Sequence, residues 1–337
     1  MDERYSRQVL FSGIGPEGQA ALRRARVVVV GCGALGSVGS EMLVRAGLGS
    51  LRIVDRDFLE LSNLQRQSLF TEADVESGIP KAIAAEHALK KINSEVEIRG
   101  LVEDLDFRNI EELLGGADLV LDGADNFEVR YLVNDFCVKH GMPWVYGAAV
   151  GSYGLAMAVV PGETSCLRCL FPDPPSPGSS ETCDTAGILA SIIHVISAFQ
   201  VAQTMRILTG QQPSDGLLTV DVWRDDWRRV SVRGPAEACP SCGENRFDFL
   251  DGRGSASTTS LCGRNAVQIK SAKSEDIDLT QLARRLEGTV PVHLSPYLLQ
   301  IRPGPFEIAL FPDGRAIVKG TGDPSEARAL YARYVGN

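Results

Sequence analysis

Four cysteines stand as two C-x-x-C pairs, "CLRC" at 166–169 and "CPSC" at 239–242, separated by a long insertion. Four thiolates in that arrangement make a closed tetrahedral zinc site, with no coordination position left open for catalysis. Gly243 follows the second pair, where the chain has to turn tightly round a metal. A redox-active pair is the competing chemistry, but two pairs without a thioredoxin-like context argue against it. Cys166, Cys169, Cys239 and Cys242 are therefore expected to hold a structural zinc ion that ties late strands back to the loop after the main sheet.

A second constellation reads as a phosphate site. In "VVVVGCGALGS" (27–37), Gly31, Gly33 and Gly36 fit G-x-G-x-x-G between a β-branched run and a helix. Asp55, at the end of the next apolar run, stands where a ribose hydroxyl partner belongs. Alone, this pattern also fits a nicotinamide enzyme, or a tight turn that binds nothing. The stretch "DRDFLELSNLQRQ" (55–67) discriminates: a second acid, Asp57, precedes Asn63, Arg66 and Gln67, and Lys81 opens the following helix. A hydride donor needs neither this set nor a metal. Asn, Arg and Lys at one sheet edge suit a triphosphate, whose charge has to be offset before attack at phosphorus. Asp122 and Asp125, in "LDGADN" (121–126), could bind magnesium, which takes one or two carboxylates together with phosphate oxygens. Asp125 could equally cap the helix that starts near Phe127. Together these residues read as an ATP site.

The elements that position them alternate in period. Arg26–Val30 reads as a buried strand, Ala34–Ala46 as a helix and Leu51–Val54 as a second strand. Pro80–Ile92 reads as a helix with proline in its first turn. Strands follow at Val96–Gly100, Leu119–Leu121 and Trp144–Tyr146, with helices near 107–114 and 127–139 between them. Such alternation predicts a Rossmann-like α/β sheet, mostly parallel, with ligands beyond the carboxyl ends of its strands. After residue 150 the pattern becomes antiparallel: Gly154–Val160, Leu217–Val222 and Trp227–Val232 read as strands. Between them lie a proline- and serine-rich loop at 171–182 and an apolar helix from about 186 to 209. Residues 251–260 have linker composition. The remainder reads as a small α+β module: strand 266–270, helix 276–287, two or three strands and a helix at 324–335. "FEIALFPDGRAIVKG" within it forms a hairpin turned at Asp313–Gly314.

With these motifs in this order, the chain resembles the ThiF/MoeB family of adenylyltransferases for ubiquitin-like sulfur carriers, relatives of the ubiquitin-activating enzymes. The resemblance is carried by "RYSRQ" (4–8), "GCGALGS" (31–37), "VDRDFLELSNLQRQ" (54–67), "PKA" (80–82), "DGADN" (122–126) and the paired cysteines. It spans roughly residues 3 to 247; Ala34 stands where many members have glycine. It implies that Asp55 binds the ribose, that Asn63, Arg66 and Lys81 hold the phosphates, and that Asp125, beside Asn126, holds magnesium near the α-phosphate. Arg7 matches an arginine sent into a neighbouring subunit's ATP site, which makes a homodimer obligatory for catalysis. Cys183, in "ETCDTAGIL", matches a cysteine implicated in thioester or acyl-disulfide chemistry in some members. The implied reaction is attack of the carrier's C-terminal glycine carboxylate on the α-phosphorus of ATP, with loss of pyrophosphate. The implied carrier ends in Gly-Gly and is ThiS-like first, for thiamin thiazole, and MoaD-like second, for molybdopterin. The module after about 260 resembles the extension of bacillus-type ThiF-like proteins and lacks a rhodanese loop, so sulfur comes from a separate donor such as a cysteine desulfurase. The expected organisation is an ATP-binding domain over 1–250, a linker over 251–260 and the module over 261–337. Two rivals stand beside it, an NAD-dependent oxidoreductase and a non-catalytic carrier-binding scaffold.

The bulk properties agree. The chain has 337 residues, 44% of them hydrophobic and 23% charged, which is ordinary globular usage. A net charge of −9 argues against bulk binding to nucleic acid or an anionic membrane. No apolar run approaches the roughly 20 residues needed to span a bilayer, and the charged start "MDERYSRQ" has no signal-peptide character. A cytoplasmic protein is expected, and in that reducing compartment metal binding or catalysis outranks disulfides for its eight cysteines. Cys32 and Cys137 fall in packed elements and read as inert, Cys262 as a possible sulfur relay, and His194 as a core residue.

Overall fold

The run of four valines from Val27 sets the fold. Alternate side chains of a strand point to opposite faces, so a continuous β-branched run needs cover on both. A computed structural model, which describes residues 3–175, 183–232, 234–253, 258–261, 266–269 and 277–336, supplies that cover. Val27 and Val29 pack into one apolar cluster with Leu43, Ile53, Ala85 and Leu89. Val28 and Val30 pack into another with Ile110, Tyr131, Phe136 and Trp144.

In chain order the first unit contains α1 (Ser6–Leu10), α2 (Gly15–Leu22), β1 (Arg26–Val30), α3 (Ala34–Arg45), β2 (Ser50–Val54), α4 (Glu72–Glu76), α5 (Lys81–Ile92) and β3 (Glu97–Leu101). It continues with α6 (Ile110–Leu114), β4 (Leu119–Asp122), α7 (Phe127–His140), β5 (Trp144–Val150), β6 (Tyr153–Val159) and α8 (Leu167–Leu170). After α9 (Cys183–Ala186), a four-residue helix that belongs to the second unit, the first unit resumes with α10 (Ala190–Leu208), β7 (Leu217–Asp221) and β8 (Asp226–Val230). The eight strands form one sheet in the order β3-β2-β1-β4-β5-β6-β7-β8. Pairing is parallel from β3 to β5 and antiparallel from there to β8. The chain leaves β1 toward β2 on one side and reaches β4 on the other, so the carboxyl end of β1 is a topological switch point, where ligands of such sheets bind.

The second unit holds β9 (Thr258–Leu261), β10 (Ala266–Ile269), α11 (Leu279–Leu286), β11 (Val292–Leu294), β12 (Leu299–Ile301), β13 (Glu307–Leu310), β14 (Ala316–Lys319) and α12 (Pro324–Tyr334). Its antiparallel sheet runs β11-β12-β13-β14-β10-β9. Leu282 and Leu286 of α11 and Ala327 of α12 share its core with Val267, Ile308, Leu310 and Val318. The hairpin closes where expected: Phe311 N–H donates to Arg315 O at 2.9 Å, with Gly314 at φ 79°. By its contacts the chain divides into Met1–Ser176 with Ile188–Gly254, and Pro177–Gly187 with Ser255–Asn337.

Three expectations are corrected. The helix read from about 186 begins at Ala190, because Gly187 takes a left-handed φ of 73° and Leu189 N–H is drawn to Gly151 O at 2.9 Å. The segment read as linker to 260 ends inside a strand: Thr258–Leu261 pairs with Ala266–Ile269. Four short strands, not two or three, lie between α11 and α12, because the gaps between them fold as tight turns. Among the described residues no helix is long and apolar enough to cross a membrane.

Candidate nucleotide site and cysteine knuckle

Strand register gathers the site. Val30 lies opposite Val54 on one side and Asp122 on the other, and Val54 lies opposite Leu101. Gly31, Asp55 and Gly123 therefore leave neighbouring strands at the same edge. Backbone bonds continue the ladder past the strand ends: Gly31 N–H to Val54 O and Gly123 N–H to Val30 O, both at 2.8 Å.

The three glycines have different reasons to be glycine. A Cβ on Gly31 would lie 2.5 Å from Gly123 O, and φ there is 87°. A Cβ on Gly36 would lie 1.8 Å from Gly31 O. These two let the turn close on itself. Gly33 is different: its Cβ would meet only Gln67 Nε2, at 4.0 Å. Its bare backbone faces open space at the first residues of α3, where helix N–H groups attract an anion. Ala34 opens that helix. Gln67, only 3% exposed, carries a side-chain oxygen with no partner. An amide with an unpartnered oxygen beside a glycine that opens onto space at a helix start leaves room and polar chemistry for a ligand, so the cradle fits a nucleotide.

Asp55 is buried, and its carboxylate spans the turn, with Oδ2 accepting from Cys32 N–H at 2.5 Å and Oδ1 from Asp57 N–H at 2.7 Å. Burial pushes its pKa up, against the pull of nearby Lys81. Lys81, at the first turn of α5, places Nζ 3.1 Å from Asp57 Oδ2, with 4% of its side chain exposed. Asn63 is buried on a single turn, where its Oδ1 accepts from Glu60 N–H at 3.2 Å; the amide –NH2 is its remaining donor group. Arg66 donates to Ser62 O at 2.8 Å and has no carboxylate partner among the described residues.

The β4 end answers the capping question. Asn126, not Asp125, caps α7: its Oδ1 accepts from Val129 N–H at 2.9 Å. Asp125 stays exposed at the mouth of the turn. Asp122 leaves the candidate magnesium set, because it is buried with Oδ2 on Arg130 Nε at 3.1 Å and Oδ1 on Ala124 N–H at 2.9 Å. Sequence reasoning missed Arg56, whose Nη1 lies 2.6 Å from Asp104 Oδ1. Burial opposes its charge, but Asp104, Asp57 and Asp125 more than offset this and raise its pKa. The available signal was acids directly after the β3 edge.

Arg7 is not brought to this edge. Its neighbours in "RYSRQ" are anchors: Tyr5 is buried with its hydroxyl accepting from Asn93 Nδ2 at 2.7 Å, and Gln8 donates to Ala46 O at 2.8 Å. Arg7 itself is exposed on α1, beside Leu10 and Phe11, which are 70% and 65% exposed. Cys183 opens the separate short α9 rather than the long helix. Cys262 lies outside the described residues. Cys32 and Cys137 are buried, and burial raises both thiol pKa values, as inert core residues require. His194 is a correction: it is exposed on α10, its Nδ1 2.9 Å from Ala190 O.

The two cysteine pairs meet. Sγ–Sγ separations are 3.8 Å for Cys166–Cys169, 3.5 Å for Cys166–Cys239 and 3.3 Å for Cys169–Cys242. All four sulfurs lie within 4.8 Å of one another. Four sulfurs about 2.3 Å from a tetrahedral zinc are about 3.8 Å apart, so the donors fit that ion. The second loop turns as expected. Gly243 and Glu244 N–H both donate to Cys239 O, at 3.0 and 2.9 Å, and a Cβ on Gly243 would lie 2.1 Å from Glu237 O.

Comparison with known proteins agrees with this geometry. Over its full length the chain is 47% identical to the sulfur carrier protein ThiS adenylyltransferase of Bacillus subtilis (strain 168), covering 100% of both. It is 38% identical to the SAMP-activating enzyme E1 of Haloferax volcanii, over 74% of this chain and 92% of that one. Among solved structures, E. coli MccB with ATP superposes with a TM-score of 0.64 and 25% identity, over 72% of this chain and 74% of that one. The model of the ThiF family matches residues 5–241, from the anchoring tyrosine through the second cysteine loop, and the chain belongs to that family.

Proposed function

We propose that this protein uses ATP to adenylate the C-terminal glycine carboxylate of a ubiquitin-like sulfur carrier protein. The carrier is ThiS-like, serving thiamin thiazole formation; a MoaD-like carrier is the second choice. One observation carries the reading: an open glycine turn, the buried Asp55 and the exposed Asp125 follow neighbouring strand ends at one edge of the sheet. The name of the full-length Bacillus relative supports the choice of carrier.

In this reading a carboxylate oxygen of the carrier attacks the α-phosphorus, the bond to the bridging oxygen breaks, and pyrophosphate leaves with its charge. The nucleophile is already ionised, so no general base is required, and catalysis is alignment and charge neutralisation. Asp55 orients the ribose, while the turn at Gly31, Gly33, Ala34 and Gly36 cradles the phosphates: Gly31 and Gly36 let it close, and the first N–H groups of α3 face the anion. Asn63, Arg66, Gln67 and Lys81 bind the nucleotide, with Asp57 holding the Lys81 ammonium in place. Asp125, with Asn126 fixing its helix, would hold magnesium, which supplies further neutralisation of the triphosphate. Arg7 acts from a second copy of the chain. The anchored "RYSRQ" segment, with Arg7, Leu10 and Phe11 outward, supports such a dimer. Cys166, Cys169, Cys239 and Cys242 hold zinc. Cys183 takes part after adenylation, when a separate donor such as a cysteine desulfurase supplies sulfur. Four unpaired thiols gathered for a metal suit the reducing cytoplasm. Carrier-dependent exchange of labelled pyrophosphate into ATP tests the reading. Exchange is expected with a Gly-Gly-terminated carrier, and none with the carrier truncated by its last glycine; a folded protein without exchange refutes it.

A further inference from the structure

A buried polar cluster joins the middle of α7 to both cysteine loops. Asn134 and Asp135 are 0% exposed. Asn134 Oδ1 accepts from Leu167 N–H at 2.9 Å, the residue after Cys166. Its Nδ2 donates to Ser241 Oγ at 3.3 Å, between Cys239 and Cys242. Ser241, also 0% exposed, donates its hydroxyl to Asp135 Oδ1. Asp135 Oδ2 accepts from Phe249 N–H at 3.1 Å, just beyond the second pair. Arg168, inside the first pair, places Nη1 3.7 Å from Asp135 Oδ1 and Nη2 3.3 Å from Asp248 Oδ2.

Two features make this more than ordinary packing. Consecutive helical residues do not face the same way, yet Asn134 and Asp135 both address the cysteine loops, which wrap that side of the helix. An amide and a carboxylate also cost free energy in a fully buried position unless bonded, and their bonds reach Leu167 inside the first C-x-x-C pair, Ser241 inside the second and Phe249 beyond it. Four closely gathered thiolates repel one another, so the loops need an external brace to hold the metal spacing. We propose that Asn134 and Asp135 are positioning residues of the zinc site, clamping both cysteine loops at that spacing and slowing loss of the ion. This rests on the reading of the four cysteines as a zinc site.

The test is transfer of zinc from the intact, reduced protein to a chromophoric chelator. Ser241→Ala and Asp135→Asn should release zinc about tenfold faster or more, the scale of outer-layer effects at metal sites. The control is Gln203→Ala, a buried amide of α10 bonded to Ser214. It should lower the melting temperature comparably and leave release unchanged. Should Asp135→Asn not fold, Ser241→Ala, which removes one hydroxyl, carries the test alone. Wild-type release rates in the folded variants, or equal acceleration in Gln203→Ala, overturn the proposal. Metal analysis of the wild-type protein separates the two readings: absence of zinc there removes the metal site itself.

Discussion

Arg66→Ala and Lys81→Ala each remove one cation that the proposed function assigns to the phosphates, yet they should fail differently. Arg66 makes one hydrogen bond among the described residues, to the Ser62 carbonyl on its own turn. A single bond of that kind is worth about 0.5–1.5 kcal/mol net, and less where solvent can replace it. The melting temperature should therefore barely move. The loss to catalysis is larger. A charged donor aimed at developing negative charge is worth about 2.7–4 kcal/mol, or about 10²–10³ in kcat. Lys81 is buried against Asp57. Removing one partner of a buried pair costs up to about 3–5 kcal/mol of stability, and here the lower end applies, because Arg56 Nε remains 3.9 Å from Asp57 Oδ1. That is a large part of the roughly 5–15 kcal/mol holding a domain folded. Lys81→Ala should lose both activity and stability, whereas the double variant Lys81→Met/Asp57→Asn should recover most stability and stay inactive. Thermal denaturation and carrier-dependent pyrophosphate exchange, run on the same samples, read both quantities. A folded Arg66→Ala exchanging within about threefold of wild type would remove Arg66 from the phosphates; the threshold is far below the factor expected of such a donor. A Lys81→Ala protein melting like wild type would refute the buried-pair argument.

The other predictions use the same crevice and its surroundings. Gly33→Ala should fold normally, because its Cβ enters open space, but raise KM for ATP; Gly36→Ala should fail to fold, its Cβ lying 1.8 Å from Gly31 O. Equal stability of the two, measured by thermal melting, would contradict the division of roles between these glycines. Mixing Arg7→Ala subunits with Arg66→Ala subunits should restore exchange in the mixed dimer, and continued inactivity would confine Arg7 to its own subunit. Cys183→Ala should leave pyrophosphate exchange unchanged and abolish thiocarboxylate formation, read by mass spectrometry of the carrier; full thiocarboxylate yield would make Cys183 a bystander.

What was legible in the sequence is what is local along the chain. A β-branched run ending in Gly31-Cys32-Gly33 announces a strand, a turn and a helix within a dozen residues, and β1 falls at Arg26–Val30 as read. Asp55, Asn63 and Lys81 follow because each sits at a strand or helix end whose position periodicity supplies. Where two residues of similar chemistry adjoin, the type cannot decide: Asp125 and Asn126 are both good caps, and only the backbone at α7 assigns the cap to Asn126. Where a break depends on one dihedral, periodicity runs through it, as in the apolar stretch around Gly187. Pairings across long loops leave little trace unless the residue types themselves announce a partner, as the cysteine pairs do. Arg56 meets Asp104 from 48 residues away, and Asn134 reaches Ser241 from 107; neither spacing is periodic. His194 was misread for a related reason, since a lone polar residue in an apolar helix takes its face from the helix's partners.

The same distinction explains the form of the site. Groups that close the glycine turn are committed to one another through bonds within this chain, and their substitution disturbs folding first. Groups that the proposed function assigns to a ligand include some whose chemistry is incompletely used: Gln67 with an unpartnered oxygen, Gly33 with open space and Arg66 without a carboxylate among the described residues. A scaffold that merely bound a carrier would have no reason to keep a buried amide oxygen unpartnered beside this turn, since an unsatisfied buried group costs stability with nothing returned. The meeting of Gln67 and Gly33 at the switch point of the sheet is the physical argument for a nucleotide there.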